Sequence, residues 1–234
     1  MTPRGSGQSA RYLRRTPLHP QWLLERDDLA PELTRCRGLI LDLGAADRWA
    51  ETRLHPLARY LALDYPVTGG TLYNARPDVF ADGRRLPLND ASVDGVLCLE
   101  VLEHVDGPSC VVAEVARVLV PGGVAMLSMP FLYPVHDAPY DFQRWTRHGW
   151  ERQLAAFGLH IERLDARGHS LRTAAMLVAL AIAGPVASLR GGKWLAPVAL
   201  PLIAIVNLAG WLGGFIWPKW SAMAQGYVVV ARKQ

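Results

Sequence analysis

Few features of the common metal-binding or secreted protein classes occur in this chain of 234 residues. Its three cysteines, Cys36, Cys98 and Cys110, are odd in number and lack the spacing of a metal site, and Cys98 falls within an apolar segment. We therefore expect reduced, packed cysteines in a cytoplasmic protein. The N-terminus lacks the apolar core of a secretory signal, so no secretion is expected.

Basic residues are present but scattered. The net charge is +4, yet no run of lysine and arginine alternates with aromatic residues, so the sequence does not predict a nucleic-acid partner. The densest basic cluster lies in residues 1–30, which we interpret as an N-terminal basic arm. Either a solvated tail or a contact with a membrane surface fits this arm. The cluster consists of Arg4, Arg11, Arg14 and Arg15.

Charge is absent from two long segments near the C-terminus, 173–189 and 194–217. The second has the roughly 20 residues needed to span a bilayer, whereas the first is shorter and contains Gly184 and Pro185. We therefore predict that residues 173–219 form a hydrophobic, membrane-associating helical insert. Tryptophans near the ends of the second segment are typical of a membrane interface. They are Trp194, Trp211, Trp217 and Trp220.

Three placements of this insert remain open. Residues 220–234 are predicted to return as the final strand of a sheet, so both ends of the insert would lie on one side of a membrane. A two-span hairpin would then translocate Arg190 and Lys193 against the positive-inside tendency. A shallow re-entrant or interfacial hairpin at the cytoplasmic face of the membrane is therefore preferred. The third placement is a helical cap, buried against the sheet or in a dimer.

Four successive apolar runs in the first half of the chain end at or beside an acidic residue: Asp42, Asp64, Asp82 and Glu100. A short apolar run of this kind predicts a buried parallel strand, here near 38–44, 59–65, 78–82 and 93–100, and helices are expected near 20–29, 48–57 and 109–120. The carboxyl ends of parallel strands meet at one edge of a sheet, where ligands bind. An edge lined with carboxylates suits a ligand that carries hydroxyls, an amine and positive charge, and it suits a triphosphate poorly.

Five motifs in this order resemble the class I S-adenosylmethionine (SAM) dependent methyltransferases, in particular a type 11-like branch, over about residues 38–168 and the last strand. This resemblance implies an α/β fold: a doubly wound, seven-stranded, mostly parallel, Rossmann-like sheet with an antiparallel last strand, to which the helical insert is added. It also implies that residues 31–172 are the SAM-binding domain. The motifs are Leu41–Gly44, Asp64, Asp82–Leu88, Ser92–Val105 and Glu114–Gly123.

The resemblance assigns SAM as cofactor and a role to each strand end. Asp64 would accept hydrogen bonds from the ribose, Asp82 from the adenine amine, and Glu100 would lie near the sulfonium. Ala46 stands where the family usually has a glycine, whose positive φ lets the methionine part approach closely. The full predicted cofactor-binding set is Asp42, Gly44, Ala46, Asp47, Asp64, Asp82, Gly83, Arg84 and Glu100.

Candidate catalytic residues lie after the fourth and fifth strands. The loop 129–146 combines aromatic and ionisable residues and resembles that of a bacterial methyltransferase branch linked to lipids and surface glycans. His136 with Asp137 would act as base and orienter, and His104 would contact the acceptor; loop-ordering roles remain the alternative. The predicted substrate residues are Tyr133, Asp141, Arg144 and Trp145, although Asp141 and Arg144 also suit a structural pair.

The sequence therefore predicts a SAM-dependent methyltransferase whose acceptor is membrane-associated or amphipathic: a lipid, a quinone or a lipid-linked glycan. No metal is expected, because His136, Asp137 and Asp141 match no strong metal motif. The oligomeric state stays open. One alternative is a membrane scaffold with a decayed, cofactor-free fold. The other, an NAD-binding oxidoreductase, requires glycines where Ala46 and Trp49 stand.

Overall fold

The computed structural model describes residues 13–25, 29–71 and 75–234, and these form two compact units. The sheet unit consists of the described residues within 27–131, 135–165 and 226–234. The helical unit consists of those within 1–26, 132–134 and 166–225. Of the predicted basic arm, residues 1–12 and 26–28 lie outside the described residues.

A seven-stranded sheet with the order β3-β2-β1-β4-β5-β7-β6 forms the sheet unit. Strands β1, β2, β3, β4 and β5 pair in parallel, and β7 pairs antiparallel with β5. This confirms the predicted doubly wound fold and its antiparallel last strand. The strands are β1 Gly38–Leu43, β2 Ala58–Asp64, β3 Val79–Phe80, β4 Val93–Leu99, β5 Leu119–Pro130, β6 Leu159–Arg167 and β7 Gly226–Lys233.

Strands β1 and β4 lie at the centre of the sheet because their side chains are apolar on both faces. Leu41 and Val96, which pair across these strands, are both fully buried. The order reverses at this point: β1 is followed by β2 on one side, and β4 by β5 on the other. A parallel sheet binds ligands where the strand order reverses, so β1 and β4 place the functional edge.

Helices of the sheet unit are short, and several differ from the sequence-based prediction. In the helical unit, residues 20–23 form turns, and residues 26–28 of the helix expected near 20–29 lie outside the described residues. The helix expected near 48–57 is only a 3-10 turn, because Arg48 has a φ of +58° and Pro56 prevents continuation. The helices are α1 Ala30–Leu33, α2 Pro66–Thr71, α3 Pro108–Val118 and α4 Arg147–Ala155, with 3-10 helices Glu51–Arg53 and Leu102–His104.

The helical unit is built on α5, Ser170–Ser188, and α6, Ala196–Ile216, with a 3-10 turn at Gly192–Leu195 between them. Two segments of it, Ser170–Ser188 and Gly192–Ile216, are long and apolar enough to cross a membrane, with mean hydropathies of 1.6 and 2.0. Within the most apolar 18-residue stretch of each segment, 28% and 22%, respectively, is buried. The part of the chain predicted as an insert is therefore a pair of apolar helices in which most residues are not fully buried.

One polar side chain fixes α6 against the N-terminal residues of the same unit. Asn207 is fully buried, and its Nδ2 donates to the carbonyl oxygens of Pro17 and His19 at 2.7 and 2.9 Å. A buried amide that forms two hydrogen bonds orders both partners. The first described residues are thus attached to the second apolar helix.

Candidate active site

A cavity of about 550 Å³ opens at the carboxyl ends of the parallel strands in the sheet unit. The structure brings seven of the nine predicted cofactor residues to its wall, together with all three predicted catalytic residues. These are Gly44, Ala46, Asp64, Asp82, Gly83, Arg84, Glu100, His104, His136 and Asp137. Residues that are far apart in the chain therefore share one cleft, because each follows a strand that ends at the same edge.

The turn after β1 is tight and accommodates only small side chains. Gly44 has a φ of +72°, in the left-handed region that glycine adopts without strain. A Cβ built on Gly44 would overlap Cγ2 of Val101 on the opposite wall. Ala46 has a φ of +41°, so it adopts the left-handed region expected of the usual glycine at a cost of about 1 kcal/mol.

The Asp64 carboxylate is held rigidly at the end of β2. Its Oδ2 accepts from the backbone N–H of Ala46 at 3.0 Å, and its Oδ1 accepts from that of Tyr65 at 2.8 Å. A Cβ on Gly69 would lie 2.7 Å from Oδ1, so the first turns of α2 approach this carboxylate because residue 69 is glycine. Each carboxylate oxygen has further acceptor capacity, and Asp64 can still accept from a ligand in the cleft.

The carboxylate of Asp82 forms an ion pair with the side chain of Arg84. Nη2 of Arg84 donates to Asp82 Oδ2 at 2.7 Å, and the backbone N–H of Arg84 donates to Oδ1 at 2.9 Å. The Arg84 side chain holds the pKa of Asp82 below its usual value. An amine bound here would share this carboxylate with Arg84 and would not be its only partner.

Glu100 follows β4 with a φ of +57°, unusual for a residue other than glycine. Its Oε1 accepts from the Ser128 hydroxyl at 2.7 Å, and its backbone N–H donates to the Ser128 carbonyl at 3.1 Å. Strained residues held by such bonds cluster at functional sites. β5 therefore places the Glu100 carboxylate in the cleft wall.

Two histidines stand together at the other end of the cleft. The rings of His104 and His136 are 4.8 Å apart at an angle of 75°. Nε2 of His104 lies 3.9 Å from Asp137 Oδ2, and Nδ1 of His136 lies 3.1 Å from Asp141 Oδ2. The predicted trio is therefore adjacent, but the carboxylate that faces His136 Nδ1 is Asp141, whereas Asp137 approaches His104.

Asp141 is fixed by Arg144, which donates to both of its oxygens. The Arg144 guanidinium lowers the pKa of Asp141 to about 2, and the His136 backbone N–H that donates to Oδ2 at 3.0 Å acts in the same direction. Neither Asp141 nor Arg144 lines the cavity. This geometry agrees with the alternative reading of a structural pair that orients His136.

The other predicted residues lie away from the cavity wall. Trp145 packs edge-on against Trp150, with ring centroids 4.9 Å apart, and Tyr133 belongs to the helical unit, where its hydroxyl accepts from Gln21. Asp42 is buried behind the wall and accepts from the Tyr60 hydroxyl. Burial raises the pKa of Asp42 to about 7.

Sequence reasoning missed several residues of the site. Aromatic side chains supply much of the apolar wall, and they had a usable signal, since each follows a predicted strand end or falls in the loop after β5. These are Trp49, Tyr65, Tyr140 and Phe142. Glu103 was missed as well: it is fully buried, and burial raises its pKa well above its usual value.

A family model described as a methyltransferase domain matches residues 43–127. The ubiquinone biosynthesis O-methyltransferase of Pseudomonas paraeruginosa is 31% identical over 154 residues, which cover 56% of this chain and 61% of that protein. A probable SAM-dependent methyltransferase of Mycolicibacterium smegmatis is 36% identical over 116 residues, 46% of this chain and 45% of the relative. The chain thus spans about three fifths or less of these relatives.

Solved structures share the fold at low sequence identity. The [4+2]-cyclase SpnF aligns with a TM-score of 0.56 and 17% identity, covering 88% of this chain and 78% of the cyclase. A putative methyltransferase from Bacillus halodurans aligns with a TM-score of 0.55 and 16% identity, covering 88% and 98%. Since the first of these is a cyclase by name, the fold alone does not decide the reaction.

Proposed function

We propose that the chain transfers a methyl group from SAM to an oxygen of a membrane-associated or amphipathic acceptor, since residues 43–127 match a family model described as a methyltransferase domain. A lipid, a quinone and a lipid-linked glycan all have the required chemistry. One observation carries the proposal: the same cleft holds a glycine turn with strand-end carboxylates and, at its other end, a pair of histidines. The relatives named for ubiquinone biosynthesis support an oxygen acceptor.

The cofactor would occupy the end of the cleft formed by β1, β2 and β3. The turn at Gly44 would contact the methionine part through its backbone, since a Cβ at this position would overlap Cγ2 of Val101. Asp64 would accept from the ribose hydroxyls, and Asp82, shared with Arg84, from the adenine amine. When bound, SAM supplies a methyl group that is already activated. The chain therefore has mainly to bind and orient the two reactants.

His104 and His136 would receive the hydroxyl of the acceptor. Nδ1 of His104 lies 2.8 Å from the Tyr140 carbonyl, which can only accept a hydrogen bond. Nδ1 therefore carries a proton, and Nε2 is the nitrogen that can act on the acceptor. When Nε2 is unprotonated it would draw a proton from the hydroxyl, and Asp137 at 3.9 Å would stabilise the resulting positive charge.

The helical unit supports an apolar acceptor. Large apolar side chains of α6 and its flanking turns are mostly exposed, among them Trp194 at 89% and Ile216 at 81%. Soluble monomers rarely expose contiguous apolar patches above a few hundred Å². We therefore place the protein at the cytoplasmic face of the membrane, where α5 and α6 would enter the bilayer as a re-entrant or interfacial hairpin.

Calorimetry with the full chain in detergent tests the cofactor assignment. SAM should bind and NAD should not. Asp64→Ala should weaken SAM binding by about 1–3 kcal/mol, roughly 5- to 150-fold, because charge-assisted hydrogen bonds are lost. Asp165→Ala, which changes an exposed aspartate outside the cavity, is the matched control. Equal SAM affinity in a folded Asp64→Ala variant would remove Asp64 from the site.

Flotation with lipid vesicles tests the membrane assignment. The full chain should float with the vesicles, and a variant with Trp194, Ile216 and Trp217 changed to serine should stay largely in solution. Burial of one such side chain contributes about 1.5–3 kcal/mol. Leu57→Ser, which removes an exposed leucine of the sheet unit, should not change flotation. Full-length protein that stays monomeric without detergent and never floats contradicts this placement.

A further inference from the structure

The buried side chain of Glu103 has no hydrogen bond among the described residues, although His104 and Arg144 lie near enough to act on its charge. It is fully buried in the 3-10 helix Leu102–His104. A buried carboxyl group without hydrogen bonds is unfavourable even when it is protonated, and a buried carboxylate is normally paired or coordinates a metal. The unmet oxygens of Glu103 therefore point to a ligand.

His104 faces this carboxyl group with its Nε2 atom. Its Nε2 lies 3.6 Å from Glu103 Oε1, too far for a hydrogen bond. Its Nδ1 lies 2.8 Å from the Tyr140 carbonyl, which fixes the proton on that nitrogen. Metal-ligating histidines almost always donate their second ring N–H to a carbonyl or a carboxylate, and His104 has this arrangement.

His136 has the same arrangement with a carboxylate. Its Nδ1 lies 3.1 Å from Asp141 Oδ2, and Arg144 holds that aspartate in place. The Arg144 Nη2 is farther from Nδ1, at 3.5 Å, so the shorter contact with the acceptor favours a proton on Nδ1. The coordinating atom of His136 would then be Nε2, as in carboxylate–histidine–metal triads.

We propose that Glu103, His104 and His136 bind one divalent first-row transition-metal ion at the acceptor end of the cleft. One ligand atom from each residue lies within 4.8 Å of the others. A tetrahedral site with bonds near 2.1 Å needs ligand separations of about 3.4 Å, so small side-chain movements close it. Two imidazoles and one carboxylate form the ligand set of catalytic metal sites that keep a position open for substrate.

This inference rests on the proposed function for its catalytic meaning. His104 and His136 line the cavity, so the open position of the metal would face the acceptor. A bound cation would lower the pKa of a coordinated hydroxyl, whose proton would then leave to solvent; this would take the place of proton transfer to His104 Nε2, which would ligate the ion. The acceptor class narrows to molecules with a phenol, enol or sugar hydroxyl that can reach the ion. The sequence predicted no metal, because His136, Asp137 and Asp141 match no strong metal motif; His104, which lies 32 positions before His136, was not grouped with them.

Cobalt titration of the full chain in detergent, after treatment with EDTA and its removal, tests the site without SAM or acceptor. Co²⁺ alone should bind once per chain, and its visible absorption should report histidine ligation. Glu103→Gln and His136→Ala should each weaken binding at least tenfold, because even loss of an outer partner of a metal ligand typically costs 10- to 100-fold. His160→Ala, at an exposed histidine on β6, should leave Co²⁺ affinity unchanged.

The outcomes separate this inference from the proposed function. Folded chain that binds SAM but no Co²⁺, or variants that all bind Co²⁺ equally, overturns the metal site alone. Chain that binds Co²⁺ through these residues but never SAM overturns the proposed function alone. If Glu103→Gln does not fold, His136→Ala decides the result, because His136 is only partly buried.

Discussion

The strictest steric demand in the cofactor end of the cleft is at Gly44, and Gly44→Ala tests it. Two separate effects act on this substitution. Gly44 has a φ of +72°, where alanine is disfavoured by about 1–2 kcal/mol. The new Cβ would also overlap Cγ2 of Val101. The Cβ and Cγ1 atoms of Val101 would each lie 3.7 Å from it.

These terms set the expected magnitude. Overpacking of this kind costs about 1–3 kcal/mol, and replacing a glycine stiffens the unfolded chain, which returns about 0.4–1 kcal/mol. Gly44→Ala should therefore lower the free energy of unfolding by about 1–5 kcal/mol. SAM affinity should fall as well, because relief of the overlap with Val101 would displace the turn proposed to contact the methionine part.

A double-mutant cycle isolates the steric term. All three nearest atoms to the new Cβ belong to Val101, so Val101→Ala should remove the overlap and leave only the backbone strain. Gly44→Ala should then cost about 1–2 kcal/mol less in the Val101→Ala background. Urea unfolding followed by circular dichroism measures the four free energies. The same cost in both backgrounds would refute this account of the turn.

Two further predictions concern Ala46, in the turn after β1, and the buried carboxyl group of Asp42. Ala46→Gly should keep or improve SAM affinity, since Ala46 has a φ of +41° and glycine removes that strain; a marked loss measured by calorimetry would contradict this turn. Burial raises the pKa of Asp42 to about 7, so its contribution to stability is complete below about pH 4 and is lost as pH rises through 7. Asp42→Asn should therefore abolish up to about 4 kcal/mol of the fall in unfolding free energy between pH 4 and 8; the same fall in both proteins would contradict it.

Much of the fold follows from the sequence because its signals are local. The apolar runs before Asp42, Asp64 and Glu100 are strands. Pro121 and Gly122 follow the end of α3 and lie within β5. Parallel strands place their carboxyl ends at one edge, so carboxylates that terminate them share that edge. Two uncharged segments could likewise be identified from composition alone.

Other elements depended on pairing across the sheet. The helix expected to reach residue 120 ends at Val118, because Leu119 pairs with Val93 as the first residue of β5. The strand expected at 78–82 contains only Val79 and Phe80, which pair with the end of β2. Element type was a local property here, whereas the exact ends depended on partners that are distant in the chain.

The sequence by itself determined where strands occur along the chain, which carboxylates stand at their ends and where the glycine turn lies. Each of these features depends on neighbouring residues. Only the tertiary structure decided which carboxylate serves which histidine: Asp141 faces His136 and Asp137 approaches His104. It also showed that Glu103, which precedes His104, is buried without a hydrogen-bond partner among the residues that the structure describes. The physical reason is that burial and pairing are set by the packing of the loop after β5 on the residues after β4, and that packing leaves no local pattern in the chain.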